Sequence, residues 1–156
     1  MKLIVISDTH GNYPLALRAC EQDGQVDAVI HLGDGANDTS VLERLLGARI
    51  ISIAGNCDHG SASPRELLWE FAGKRLLLTH GDLYGVKSGL ARLAQRAREI
   101  GADAALYGHT HRADIHTEAG ILLLNPGTLM KSAPENSYAI LEIDETGIQP
   151  SLRQIL

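Results

Sequence analysis

Short apolar runs, each ended by a glycine or a polar corner, recur along this chain. The run at 2–7, Lys-Leu-Ile-Val-Ile-Ser, is continuously apolar and reads as a strand covered on both faces. The runs at 27–33 and 49–55 read the same way. Helical spacing falls between them. A helix is predicted over 14–24, with Pro14 in its first turn and Gly24 past its end. A second is predicted over 39–47, where Ser40 and Glu43 have capping-box spacing and Gly47 supplies the stop. Residues 65–81 predict two strands joined by a tight turn at Ala72-Gly73-Lys74. The clearest helix is 88–101: Leu90, Leu93, Ala94, Ala97 and Ile100 share one face, and Arg92, Gln95, Arg96 and Glu99 the other. Residues 103–108 form a further strand run. From 112 onward the pattern is all strand, with turns at Gly120, Pro126-Gly127 and Thr146-Gly147. Alternating strands and helices followed by a β-rich end predict an α/β sandwich with two sheets.

Length and composition narrow this picture. The 156 residues suit one domain, 1–156, with 44% apolar residues and a formal charge of −5. That charge, with 4% aromatics, gives no reason to expect a stable nucleic-acid complex or binding to an anionic membrane. The two cysteines, Cys20 and Cys57, form no CxxC pair, so neither a disulfide framework nor a structural zinc site is expected. The apolar run at the start is too short for a signal-peptide core, and no run reaches the roughly 20 residues of a membrane span. A cytoplasmic location is the expectation.

The candidate chemistry lies where the strands end. Asp8 and His10 follow the first strand, Asp34 the second, Asn56 and Asp58 the third, His80 the hairpin, and His109 and His111 the run at 103–108. Ligands of α/β sheets bind outside the carboxyl ends of the strands, so these groups would converge on one rim. Taken singly, each motif has a plainer reading: an Asp-x-His pair is common, Gly-Asn-x-Asp is mostly a turn, and two histidines two apart could line a loop or one face of a strand. Their joint occurrence, each at a strand end, favours a metal site.

The series Asp8-x-His10-Gly11, Gly33-Asp34, Gly55-Asn56-x-Asp58, His80-Gly81 and Gly108-His109-Thr110-His111 resembles that of the calcineurin-like metallophosphoesterases. The short length, the Gly55-Asn56-Cys57-Asp58 variant and Asn125-Pro126-Gly127-Thr128 resemble its small YfcE-like phosphodiesterase branch. The resemblance implies a four-layer αββα sandwich with two facing mixed sheets and two metals at one end. It implies that Asp8, His10 and His111 hold one metal, that Asn56, His80 and His109 hold the other, and that Asp34 bridges them. Such a mixture of carboxylate, amide and imidazole donors suits divalent Mn²⁺ first, with Ni²⁺, Fe²⁺ or Zn²⁺ as alternatives. The implied activity is a phosphodiesterase in which a hydroxide bridging the metals attacks phosphorus in line. The implied partner is a small phosphate ester. A phosphomonoesterase or nucleotidase is the alternative activity. A retromer subunit of this fold acts as a protein-binding scaffold, which is the non-catalytic alternative.

One departure from the family bears on mechanism. Many members carry histidine where this chain has Cys57, and that histidine is thought to protonate the leaving oxygen. A thiol of pKa about 8.5 is a poor substitute. Catalytic roles on this reading fall to Asp34, Asn56 and His109 at the metals, with Cys57, Asp58 and the neighbouring His59 near the leaving group. Cys57 as a nucleophile is the sharper, less favoured alternative. His31 reads as a packed strand residue, His116 as an exposed one, Lys87 and Arg112 as solvated charges, and Asp38 as a helix start. Tyr84 and Trp69 read as core residues rather than a cleft lining. Selectivity would come from loops around 59–66 and 82–88, and Leu67-Leu68-Trp69-Glu70-Phe71 or the β-rich tail could supply a homodimer edge.

Overall fold

A computed structural model describes residues 1–156. Strand β1 (Lys2–Ile6) leads into helix α1 (Tyr13–Gln22), β2 (Ala28–His31), helix α2 (Ala36–Leu46) and β3 (Ile50–Ser52). A hairpin of β4 (Glu66–Phe71) and β5 (Lys74–Thr79) follows, then a short 3₁₀ turn at Asp82–Tyr84, helix α3 (Ala91–Glu99) and β6 (Ala104–Leu106). The chain ends in β7 (Asp114–Glu118), β8 (Ile121–Asn125), β9 (Ser137–Asp144) and β10 (Gly147–Gln154).

The strands form two five-stranded mixed sheets, ordered β10-β9-β1-β2-β3 and β4-β5-β6-β8-β7. Leu3, Val5, Ile30, Leu32 and Ile53 of the first sheet pack with Leu76, Leu78, Leu106 and Leu124 of the second in one buried layer. The opposite face of β1, through Ile4 and Ile6, packs under Ala16, Ala19, Cys20 and Leu42 of α1 and α2. Leu77, Ala105 and Leu123 pack under Leu93, Ala94 and Ala97 of α3. Both faces of the central strands are therefore covered, as their unbroken apolar runs require. The result is the expected four-layer order of helices, sheet, sheet and helix. No helix is long and apolar enough to cross a membrane.

The predicted turn between β4 and β5 tightens to two residues. Phe71 pairs with Lys74, and Ala72 (φ 51°) and Gly73 (φ 79°) are both left-handed, as a type I′ turn demands. Pro150 is tolerated because β10 is an edge strand. Two helix starts differ from expectation, each by three residues. Helix α3 starts at Ala91 rather than 88, after turns at Gly85 and Gly89. Helix α2 starts at Ala36, which puts Ser40 inside it, so no Ser40–Glu43 box forms; Glu43 instead accepts the backbone N–H of Ile50 at 3.1 Å. The expected stop at Gly47 is present, at φ 63° with its N–H on the Glu43 carbonyl.

Strands β1, β2 and β3 run parallel in one sheet and β5 and β6 in the other. The loops after them carry Asp8, His10, Asp34, Asn56, His80, His109 and His111, all expected to meet.

Candidate metal centre

Two buried carboxylates form the centre of this rim. Asp8 is fully buried and Asp34 nearly so. Asp8 Oδ1 lies 3.1 Å from His111 Nε2 and 3.7 Å from both His10 Nε2 and His80 Nε2. Asp34 Oδ2 lies 3.2 Å from His80 Nε2 and 3.7 Å from His10 Nε2. His109 Nδ1 sits 3.2 Å from His80 Nε2, the two rings meeting edge to face.

The remaining lone pairs and protons are used to aim these groups. Asp8 Oδ2 accepts the Ser7 hydroxyl at 2.6 Å and the His109 backbone N–H at 3.1 Å, which leaves Oδ1 toward the histidines. Asp34 Oδ1 accepts the Cys57 backbone N–H at 2.8 Å, which leaves Oδ2 free in the same way. His80 is fully buried, and its Nδ1 lies 2.8 Å from the Leu32 carbonyl. A carbonyl can only accept, so Nδ1 carries a proton and Nε2 is the nitrogen that faces the rim, where its lone pair becomes available to a cation once the proton shared with Asp34 is displaced.

Charge follows this geometry. Burial alone would raise the Asp34 carboxyl, but His80, the Cys57 N–H and His10 hold it well below the usual range. Asp8 is lowered against the same burial by His10, His80 and Ser7. Asp8 in turn raises His10, against its partial burial. His80 is raised despite burial, by Asp34 and Asp8. His109 is lowered by burial and by the positive charges of His80 and Lys87. The site thus holds two anions surrounded by imidazoles that compete for protons, a state in which a divalent cation can displace those protons.

The backbone at the rim is unusual. Seven non-glycine residues have positive φ: Ala72 and Ala119 at hairpin tips, and Asp8, His10, Asp34, His109 and His111. Left-handed backbone at a non-glycine residue costs of order 1–3 kcal/mol, so its concentration at five candidate ligands marks a site held in shape by its surroundings. Those surroundings include the turn at Asn125-Pro126-Gly127-Thr128, which supports the rim. Asn125 Nδ2 donates to the Gly108 carbonyl at 3.2 Å and to Thr110 Oγ1 at 2.9 Å, and the Thr128 hydroxyl donates to the Asp8 carbonyl at 2.8 Å. Gly108 is required by close approach: a Cβ there would lie 2.1 Å from Ser7 Oγ and 2.6 Å from Asp8 Oδ2.

In each of three sets the donor atoms lie within 4.8 Å of one another: Asp8 with His10 and His111; Asp8 with Asp34 and His80; and His10 with Asp34 and Cys57. Anionic oxygens facing imidazole nitrogens in such sets fit a divalent first-row ion. The His109 side chain stands outside these sets, in contact with them through His80. Asn56 is exposed, its amide donates to Cys57 Sγ at 3.6 Å, and it makes no hydrogen bond to His80 or His109.

Asp58 is placed otherwise than a proton donor requires. Its two oxygens accept four backbone N–H groups, from Asp34 (2.7 Å), Gly55 (2.8 Å), Gly35 (2.9 Å) and Ala36 (3.0 Å). Burial would raise its carboxyl, but these donors bring it below the ordinary range. Asp58 therefore organises the loop and caps α2, the role Ser40 was expected to fill. Cys57 is exposed, and its thiol is raised by desolvation and by the Asp34 charge, which suits neither a thiolate nucleophile nor a ready acid at neutral pH. His59 lines the same polar cleft, of about 300 Å³, as His10, Asp34 and Cys57.

Sequence reasoning passed over Ser7 and Thr9, small hydroxyl residues whose types carry no distinctive signal. His31 is buried and hydrogen-bonded, as expected; Asp38, expected only to start a helix, is buried and bonded to the first loop. Lys87 and Arg112 are exposed and without an ion pair, on the wall of a second cleft of about 630 Å³ beside Thr110. Trp69 and Tyr84 pack against the two sheet cores, as expected.

Known proteins share the fold. The chain belongs to the calcineurin-like phosphoesterase superfamily, whose domain model matches residues 1–146. It is 36% identical to the probable metallophosphoesterase YsnB of Bacillus subtilis, over 92% of this chain and 85% of that one. It is 31% identical to the phosphodiesterase YfcE of Escherichia coli, over 92% of this chain and 89% of that one. A predicted phosphoesterase from Streptococcus pneumoniae superposes with a TM-score of 0.83 at 31% identity, covering 98% of this chain and 88% of the other. Vps29 from Entamoeba histolytica shares the fold, with a TM-score of 0.77 at 21% identity and 99% of each chain covered.

Proposed function

We propose that this chain is a dinuclear metal-dependent phosphodiesterase. The observation that carries the reading is the placement of one free oxygen of each buried aspartate among imidazoles, on backbone that leaves ordinary φ at five positions. In this assignment Asp8, His10 and His111 hold one divalent ion and Asn56, His80 and His109 the other. Asp34 serves both: its Oδ2 lies between His10, of the first set, and His80, of the second. Bound there, the ions, Mn²⁺ foremost, would supply Lewis acidity toward a phosphoryl oxygen and lower the pKa of a bound water from 15.7 toward about 7.

The protein's own part is orientation and charge. Ser7 and the His109 N–H fix the Asp8 carboxylate, the Cys57 N–H fixes Asp34, and the Leu32 carbonyl fixes the His80 tautomer. The weak point is proton supply. With Asp58 committed to backbone amides, Cys57 a poor acid and His59 on the cleft wall without a hydrogen bond to aim it, the leaving oxygen departs with little protonation. Diesters with good leaving groups, such as aryl esters, are therefore the preferred substrates over alkyl monoesters.

The test is hydrolysis of bis-p-nitrophenyl phosphate with and without Mn²⁺, beside p-nitrophenyl phosphate and an alkyl monoester. Metal-dependent turnover greatest on the diester is expected. Preference for the monoester would support the phosphomonoesterase reading instead. A folded chain inactive with every divalent ion would support the protein-binding scaffold.

A further inference from the structure

The loop after β1 and the loop after β2 must hold Asp8 and His10 at a fixed separation from Asp34. Two backbone links join them: Asp8 N–H to the Gly33 carbonyl and His10 N–H to the Asp34 carbonyl, both at 3.0 Å. A third link is made of side chains, and none of them is among the candidate ligands. Asp38 Oδ2 accepts the Thr9 hydroxyl at 2.6 Å and the Gly11 backbone N–H at 2.8 Å. It thereby grips the residues on either side of His10, itself at φ 43°. Thr9 Oγ1 also lies 3.0 Å from His31 Nε2, and His31 Nδ1 accepts the Gly33 N–H at 3.1 Å.

These bonds have one consistent direction. The Thr9 hydroxyl has a single proton, and it goes to Asp38, because a carboxylate can only accept. Toward His31 the hydroxyl oxygen must then accept, so Nε2 carries the imidazole proton and Nδ1 is bare, as the Gly33 N–H requires. Thr9, His31 and Asp38 are all buried, and burial holds His31 neutral by lowering its pKa. Packing is tight on the Gly35 side: a Cβ there would lie 2.0 Å from Thr9 Oγ1 and 2.7 Å from His31 Nε2. The wire therefore runs from the start of the Asp34 loop, through His31 of β2, to both sides of His10.

We infer that His31, Thr9 and Asp38 form a positioning relay that sets the distance of Asp8 and His10 from Asp34, so that divalent-ion affinity depends on three residues that do not touch the ion. The inference rests on the reading of these aspartates and histidines as metal ligands. A merely structural role, satisfying buried polar atoms, would let the relay be altered without changing that affinity.

The experiment compares Thr9→Val, which keeps the shape and removes the hydroxyl, with Thr9→Ser, which keeps the hydroxyl. Mn²⁺ binding to the full chain is followed by calorimetry and by the electron paramagnetic resonance of the bound ion, with thermal melts of the metal-free proteins alongside. Thr9→Val is expected to weaken Mn²⁺ binding about 10- to 100-fold, the range for loss of a group that orients metal ligands, and to change the resonance spectrum. Thr9→Ser is expected to restore both. Native affinity in a folded Thr9→Val protein overturns the relay. Should Thr9→Val fail to fold, Asp38→Asn reads the same link, and native affinity there overturns it equally. A native chain that binds no divalent ion overturns the metal-centre reading itself, and the relay with it; that outcome differs from one in which only the variants behave as native.

Discussion

Asp58 caps Asp34: its Oδ2 accepts the Asp34 backbone N–H at 2.7 Å, so a carboxylate outside the donor sets fixes the residue at their centre. The same carboxylate reaches Gly35, Ala36 and Gly55. Asp58→Ala is expected to destabilise the metal-free protein by about 2 kcal/mol, as loss of a helix cap and of charged hydrogen bonds would. Urea unfolding at neutral pH checks this.

The same residue contributes to acid sensitivity. Its carboxyl is lower in the folded protein than in the unfolded chain, so its stabilisation is full above the unfolded value, about 3.9, and is lost as pH falls through the lower folded value. Asp58→Asn should therefore unfold with a shallower dependence on pH below about 4 than the native chain. Unfolding midpoints measured between neutral pH and this range give the comparison.

Metal binding should show as stability. Two buried anions gain a partner that the unfolded chain cannot provide, so Mn²⁺ at 100 times its dissociation constant adds about 2.7 kcal/mol. For a chain of this size that is a rise in Tm of roughly 5–10 °C, removed by chelator. A melt indifferent to Mn²⁺ and chelator would contradict the metal assignment.

Gly108→Ala tests the packing beneath Asp8. The added methyl would meet Ser7 Oγ and Asp8 Oδ2 well inside contact distance, forcing the carboxylate off its aim. The expected result is a loss of Mn²⁺ affinity of at least about tenfold. Calorimetric titration of the variant measures it.

The two thiols should differ sharply. Cys20 is buried and its thiol is pushed up to about 12 by desolvation, whereas Cys57 is exposed. A disulfide reagent should modify one thiol in the native protein, more slowly than free cysteine because Cys57 is also raised, and the second only on unfolding. Cys57→His should increase turnover of alkyl esters more than of aryl esters, by about tenfold or more, if proton supply limits the native chain. Equal gains on both would locate the limit elsewhere.

Much of this site was legible because its signals are local. Asp8, His10, Asp34, His80, His109 and His111 each follow an apolar run that ends at the same rim, and the covered faces of β1, β2 and β6 are written in continuous Leu, Ile, Val and Ala. What was illegible depends on partners distant in sequence. The start of α2 was misplaced because its cap is Asp58, 22 residues beyond Ala36, rather than a local Ser40–Glu43 box. Asp38 looked like an ordinary helix-start acid, since nothing near it announces that Thr9, 29 residues earlier, donates to it. His31 did leave a trace, a polar side chain inside an apolar strand, but its bonding could not be read without Thr9 and Gly33 in place.

The five left-handed donors also bear on how such a site is lost. Aspartate tolerates that backbone better than most residues, and asparagine and glycine tolerate it as well or better. A descendant of this chain relieved of its chemistry would remain under the conformational demand, so substitutions at 8, 10, 34, 109 and 111 should drift toward asparagine and glycine rather than at random. The shape of the rim would then outlive the reaction, as a trace in the sequence of what the loops once gripped.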